Sequence, residues 1–243
     1  SPVEPPAAFA ADLRALIARL DPIRVMPACE EVFHLSALAA AEGWSDRVLA
    51  PCPKVLASLH AKDHFVALCA RLSLPTPETR TVTDASALLA AAEAMGDVVI
   101  KPVWSRFGAA HVSPSSAAIA GIRPTETAPW VVQRRVTGRE VCFHAVAHTG
   151  RVTAVAAYGS DWRLPGGAGY AFQPVTEEIT EGLRPMADRV GMEVWTGQFA
   201  CDVLIDQAGR PWLIECNPRA TSGVHLFGAS AAFGRGLTGR GEA

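Results

Sequence analysis

The stretch that decides the fold is CDVLIDQAGRPWLIECNPR, residues 201–219. Two runs with strand character, Gln198 to Ile205 and Pro211 to Cys216, flank Asp206-Gln207-Ala208-Gly209, a turn signal, so the segment reads as a β-hairpin. Counting outward from the turn places Asp202 opposite Glu215. Cross-strand partners have Cβ atoms about 5 Å apart. Glu215 and Asn217 are two residues apart on an extended chain, so both point to one face. Two facing carboxylates repel unless a proton or a cation sits between them. With the amide oxygen of Asn217 they form a hard, all-oxygen donor set suited to Mg²⁺ partly held by phosphate. A merely solvated hairpin explains one acid easily, but three oxygen donors in an otherwise apolar hairpin poorly.

Upstream, Val98-Val99-Ile100 reads as a buried strand that ends in Lys101-Pro102. A lysine there can hold its ammonium over a phosphate. Ser105-Arg106-Phe107-Gly108 follows as a turn whose amides suit phosphate oxygens, with a short strand near Ala110 to Val112. No GxxxxGK[ST], no GxGxxG before a helix and no GxSxG occurs, so P-loop, Rossmann and serine-hydrolase readings fail. The seven histidines form no i, i+4 pair or triad with a nucleophile. Lys62, read alone, is an exposed lysine of a helix over 54–73.

The rest of the chain reads as α+β. Helices are expected over 11–20, 30–41, 84–95 (capped by Asp84 and Gly96) and 176–190. Short strands are expected at 23–26, 78–82 and 130–134, and a hairpin at 140–147 and 152–158. Gly138 reads as a bulge, residues 159–169 as a mobile loop, and the tail from Gly228 as weakly patterned. The face Leu13, Leu16, Ile17 has no evident partner and is expected to be exposed or buried in a homodimer.

Composition narrows the function classes. The 243 residues carry 22 basic and 24 acidic side chains, so no global field draws the chain to nucleic acid or to an anionic membrane. No apolar run approaches the roughly 18 residues of a membrane span. Six scattered cysteines without a CxxC pair suit a reducing, cytoplasmic setting.

Lys62, VVIKP at 98–102, VVQRRVTGRE at 131–140 and the hairpin ending in ECNPR resemble, in that order, the ATP-grasp superfamily. The likeness runs from about residue 51 to 227 and is greatest to carboxylate–amine ligases and the ligase domains of carbamoyl-phosphate synthetases. It implies two α+β subdomains gripping ATP, here 51–128 and 129–243. Residues 1–50, with RVMPACEEVFHLS at 24–36, would be the end of a preceding α/β domain whose first βαβ portion is absent. It also implies ATP with Mg²⁺ (or Mn²⁺), and small-molecule carboxylate and amine substrates joined through an acyl-phosphate. Lys62 and Lys101 would contact the nucleotide phosphates or adenine, Ser105 would help bind the nucleotide, Gln133, Arg134, Arg135 and Val136 would form the adenine hinge, and Glu140 would bind ribose. Asp202, Glu215 and Asn217 would be the metal ligands. Arg219 would face the acyl-phosphate, and Arg163 would sit in a lid over 159–170. Gln133, where many relatives have Glu, and Ala200, where some dipeptide ligases have Arg, depart from the pattern. A nucleotide-binding module without turnover and a kinase-like phosphotransferase are the rival readings.

Overall fold

The computed structural model describes residues 6–105, 117–163 and 169–241. The front segment holds α1 (Pro6–Leu20) and α2 (Glu31–Glu42). The expected strand at 23–26 shrinks to one parallel bridge, Val25 to Val48, because no further strand lies beside it. Leu13 and Phe9 pack against Leu35, Ala39 and Val48, and Ile17 is buried. The α1 face thus folds onto α2, while Leu16 and Leu20 are large apolar side chains of the helix that stay exposed.

The single helix expected over 54–73 is two, α3 (Pro53–His60) and α4 (Lys62–Arg71). Ala61 between them is extended, at φ −70° and ψ 119°, which re-aims the chain at Lys62. Next come β1 (Thr79–Val82), α5 (Ala85–Met95), β2 (Val98–Pro102) and β3 (Trp130–Arg134), with a 3₁₀ turn at Ala117–Gly121 between the last two. Asp84 caps α5 by accepting a hydrogen bond from the Ala87 amide at 2.8 Å. The strands form an antiparallel sheet in the order β1-β3-β2. β3 therefore belongs with the earlier strands, although the expected divide at 128/129 sets it with the later ones. Val98, Ile100 and Val132 turn one face of the sheet to Leu88, Ala91 and Met95 of α5. Alternation sends Val99, Lys101 and their partners Gln133 and Val131 to the other face.

The second sheet has five strands. β4 (Gly138–His148) and β5 (Arg151–Arg163) turn through Thr149 and Gly150, both at positive φ, as a tight hairpin requires. β6 (Gly169–Pro174), α6 (Glu177–Val194), β7 (Gly197–Asp206) and β8 (Pro211–Asn217) follow, giving the order β6-β5-β4-β7-β8. Residues 159–163 of the expected loop are strand instead: β5 runs on to Arg163 and pairs with β6. Gly138 makes no bulge. It opens β4 beside Ile205, whose carbonyl would collide with any Cβ there. One face of this sheet packs under α4 and α6, with Phe65, Phe143, Phe199, Leu183 and Leu213 in its core. The other is covered by the tail, which is better ordered than its glycines suggested. A 3₁₀ turn (Ser222–Phe227) and α7 (Ala231–Thr238) bring Phe227 and Phe233, stacked at 4.3 Å, onto Leu49, Val146 and Ala154. Among the described residues no helix is long and apolar enough to cross a membrane.

Candidate active site

Asp202 pairs with Glu215 in the β7–β8 ladder, as the turn count predicted. The register shifts by one residue just beyond, between Asp202 and Val203, so Ile214 bulges out of β8. A bulge of this kind re-aims its neighbours. Leu213 and Cys216 lie in the core, while Glu215 meets two lysines.

The first is Lys62, the opening residue of α4. Its amide donates to the Val103 carbonyl at 3.3 Å, fixing the helix start to the end of β2. The residue is only 3% exposed. Nζ donates to the Ser105 carbonyl at 3.0 Å and hydroxyl at 3.1 Å, and pairs with Glu215 Oε2 at 3.2 Å. Sequence reading alone made it an exposed helix lysine; the break at Ala61 turns it inward. The second is Lys101, 2% exposed on the inner face of β2. Burial lowers its pKa to about 8, against the pull of Glu215 and with the push of Lys62. Such a lysine is already stripped of water, as a phosphate-binding ammonium must be.

The two carboxyls differ. Burial raises Asp202 to about 7, and the charge of Glu215 adds to the effect. Burial also pushes Glu215 upward, but Lys62 and Lys101 outweigh it and hold Glu215 below its ordinary value. The pair hydrogen-bond each other, and Asp202 Oδ1 accepts from Cys142 Sγ at 3.1 Å, its register partner on β4. Two carboxylates close enough to share a proton, with an amide oxygen on the next same-face position, fit a hard divalent cation that balances both charges. Among the described residues no three His, Cys, Asp or Glu side chains gather into a group that could hold a metal ion. Two carboxylates and one amide oxygen leave coordination positions for phosphate or water.

Asn217 Oδ1 lies 3.4 Å from Arg219 Nη2. Arg219 is nearly buried, and its guanidinium is held by Glu30 Oε1, at 3.1 Å from Nη2 and 3.2 Å from Nε. Glu30 stands just before α2, in the front segment. Beside it, His60 closes α3 between Phe33 and Trp104, with ring centroids 5.2 and 5.7 Å away. Burial and the Lys62 charge lower the His60 pKa. No local pattern in the sequence marks Glu30, His60 or Trp104 as residues of a site.

Other expected residues lie apart from this cluster. Gln133 is buried on the inner face and donates to Thr79 Oγ1 at 3.0 Å. The Arg134 side chain is drawn to Glu78 at 2.6 Å and the Met95 carbonyl at 2.9 Å, and that of Arg135 to Asp97 at 2.9 Å. Both side chains fasten the end of β3 to its flanks instead of reaching the lysines. Val136 is half-buried in the connection to β4, and Glu140 is exposed near its start. Arg106 to Gly108, the strand near Ala110 to Val112 and the lid residues 164–168 lie outside the described residues, as does the side chain of Arg163.

No protein-family model and no curated protein sequence matches the chain. Solved structures do. The biotin carboxylase domain of 2-oxoglutarate carboxylase from Hydrogenobacter thermophilus, in complex with MgADP, ADP and bicarbonate, superposes with a TM-score of 0.69 at 14% identity, over 88% of this chain and 52% of that one. An L-amino acid ligase from Bacillus licheniformis gives 0.67 at 15% identity, over 91% and 55%. The ATP-grasp ligase PsnB, complexed with a minimal precursor, gives 0.59 at 20%, over 81% and 64%. The chain thus spans between about half and two thirds of the length of the structures it resembles.

Proposed function

This chain has the ATP-grasp fold, and we propose on that premise that it is an ATP-dependent ligase. It would activate a carboxylate as an acyl-phosphate and join it to an amine, releasing ADP and phosphate. The observation that carries the reading is the convergence of Lys62 and Lys101, both buried, on Glu215 of the hairpin. Two desolvated cations beside a cation-binding carboxylate pair match the charge pattern of a nucleotide triphosphate with its metal.

In this reading Asp202, Glu215 and Asn217 hold Mg²⁺, which when bound neutralises phosphate charge and polarises the transferred phosphoryl group. Lys101 takes the charge that develops as the substrate carboxylate attacks the γ-phosphorus. Lys62 keeps the Ser105 backbone and hydroxyl in place beside the phosphates. Gln133 to Val136 supply the hinge for adenine, and Glu140 the ribose contact. Arg219 holds the acyl group for the amine, and Arg163 with the lid excludes water, which would hydrolyse the intermediate.

The test is ADP formation with a panel of carboxylates, with hydroxylamine as a general nucleophile. A trapped hydroxamate, with ADP formed only when a carboxylate is present, is the expected result. ADP formed by phosphorylation of a hydroxyl substrate would make the chain a kinase-like enzyme. Binding of ADP without turnover of any acid would make it a nucleotide module.

A further inference from the structure

Glu30 and Arg219 form a largely buried pair of opposite charges at the end of β8, with the Glu30 carboxylate the more exposed partner and Asn217 behind the guanidinium. Alongside lies a row of three rings, Phe33, His60 and Trp104, from three separate parts of the chain. Trp104 presents 48% of its surface to solvent, although it lies two residues beyond the largely buried strand β2. It adjoins Ser105, which Lys62 holds in place, so the row reaches the phosphate side of the cluster. The His60 ring feels Lys62, Glu30, Glu215 and Arg219 together, which sets it between the two charge centres.

An ion pair beside a row of rings complements one kind of small molecule particularly well. We propose that this is the binding site for an α-amino acid with an aromatic side chain, the substrate carboxylate lying on Arg219, its ammonium on Glu30 and its ring against Trp104 and His60. The proposal rests on the ligase reading and names one of that site's substrates. A zwitterion inserted between Glu30 and Arg219 exchanges one internal ion pair for two charge-assisted contacts, so neither protein charge is left unpaired. The guanidinium edge that Glu30 now occupies, Nε with Nη2, is the edge that matches a carboxylate. Trp104 and His60 add stacking area without requiring a deep pocket.

Equilibrium dialysis of L-phenylalanine against the intact chain tests this, with L-alanine and N-acetyl-L-phenylalanine as comparators and MgADP binding measured on the same samples. L-phenylalanine is expected to bind about tenfold more tightly than either comparator, the size of one good charged or stacked contact. Trp104→Ala should remove the margin over L-alanine, and Glu30→Gln the margin over the acetylated compound. Trp104 is exposed enough for its variant to fold. Equal binding of all three compounds, or no binding of L-phenylalanine, would overturn the proposal. Failure of MgADP to bind would instead count against the ligase reading, whatever phenylalanine does.

Discussion

Glu215→Gln is expected to cut Mg²⁺-dependent turnover by roughly a hundredfold or more, and to lower stability as well. Glu215 answers two buried lysines at once, directly at 3.2 Å for Lys62 and through space for Lys101. Neutralising it removes a proposed metal ligand and takes from both cations their main counter-charge. Breaking a buried pair by removing one partner costs about 3–5 kcal/mol. Asn217→Ala separates the two effects. Its amide touches only Arg219 in the hydrogen bonds of the site, so turnover should fall while the melting temperature hardly moves. Phosphate release at limiting Mg²⁺, read beside thermal unfolding, checks both. Full activity in both variants would remove the metal assignment.

Lys101→Met is expected to make the protein more stable and nearly blind to nucleotide. The folded-state pKa of about 8 lies below the ordinary 10.5, so the folded chain binds this proton less readily than the unfolded chain. The resulting penalty is fully present below pH 8 and fades as pH rises toward 10.5. It is on the order of 3 kcal/mol at neutral pH. Methionine fills similar space without the charge, so the variant should melt a few degrees higher at pH 7 and lose that advantage in alkaline buffer. ADP affinity should fall by about 2–5 kcal/mol, the cost of leaving a desolvated partner unmatched. A variant that is no more stable, or that still binds ADP normally, would mean that Lys101 is not a strained phosphate ligand.

The hairpin was legible because its information is local. Asp206 to Gly209 fixes the turn, alternation fixes the faces, and the pairing of Asp202 with Glu215 follows. The Ile214 bulge carried no mark in composition, yet it lies between the core residue Leu213 and the site residue Glu215. The same locality made Asp84, Gly96 and the turn at Thr149-Gly150 readable. What failed was non-local or unpunctuated. Alanine is no helix breaker, so nothing announced the break at Ala61 that buries Lys62. Arg219 and Glu30 are 189 positions apart, and no pattern in either segment points to the other. In the tail, glycines at 228, 234, 236 and 239 outweighed Phe227 and Phe233, whose role depends on Leu49 and Val146 from distant parts of the chain. The strand character of 160–163 and 169–174 was hidden by the intervening glycines and proline, with pairing to a neighbour standing in for propensity.

The central claim, that Lys62, Lys101 and the carboxylate hairpin form a site for a metal-bound nucleotide, is tested most directly by calorimetric titration of ADP into the intact chain, with Mg²⁺ and then with a chelator. The account predicts saturable binding at one site per chain, weakened at least about tenfold when the metal is withdrawn, since the two carboxylates then face the phosphates without a cation between them. Absence of binding, or binding equally tight with and without Mg²⁺, would contradict it.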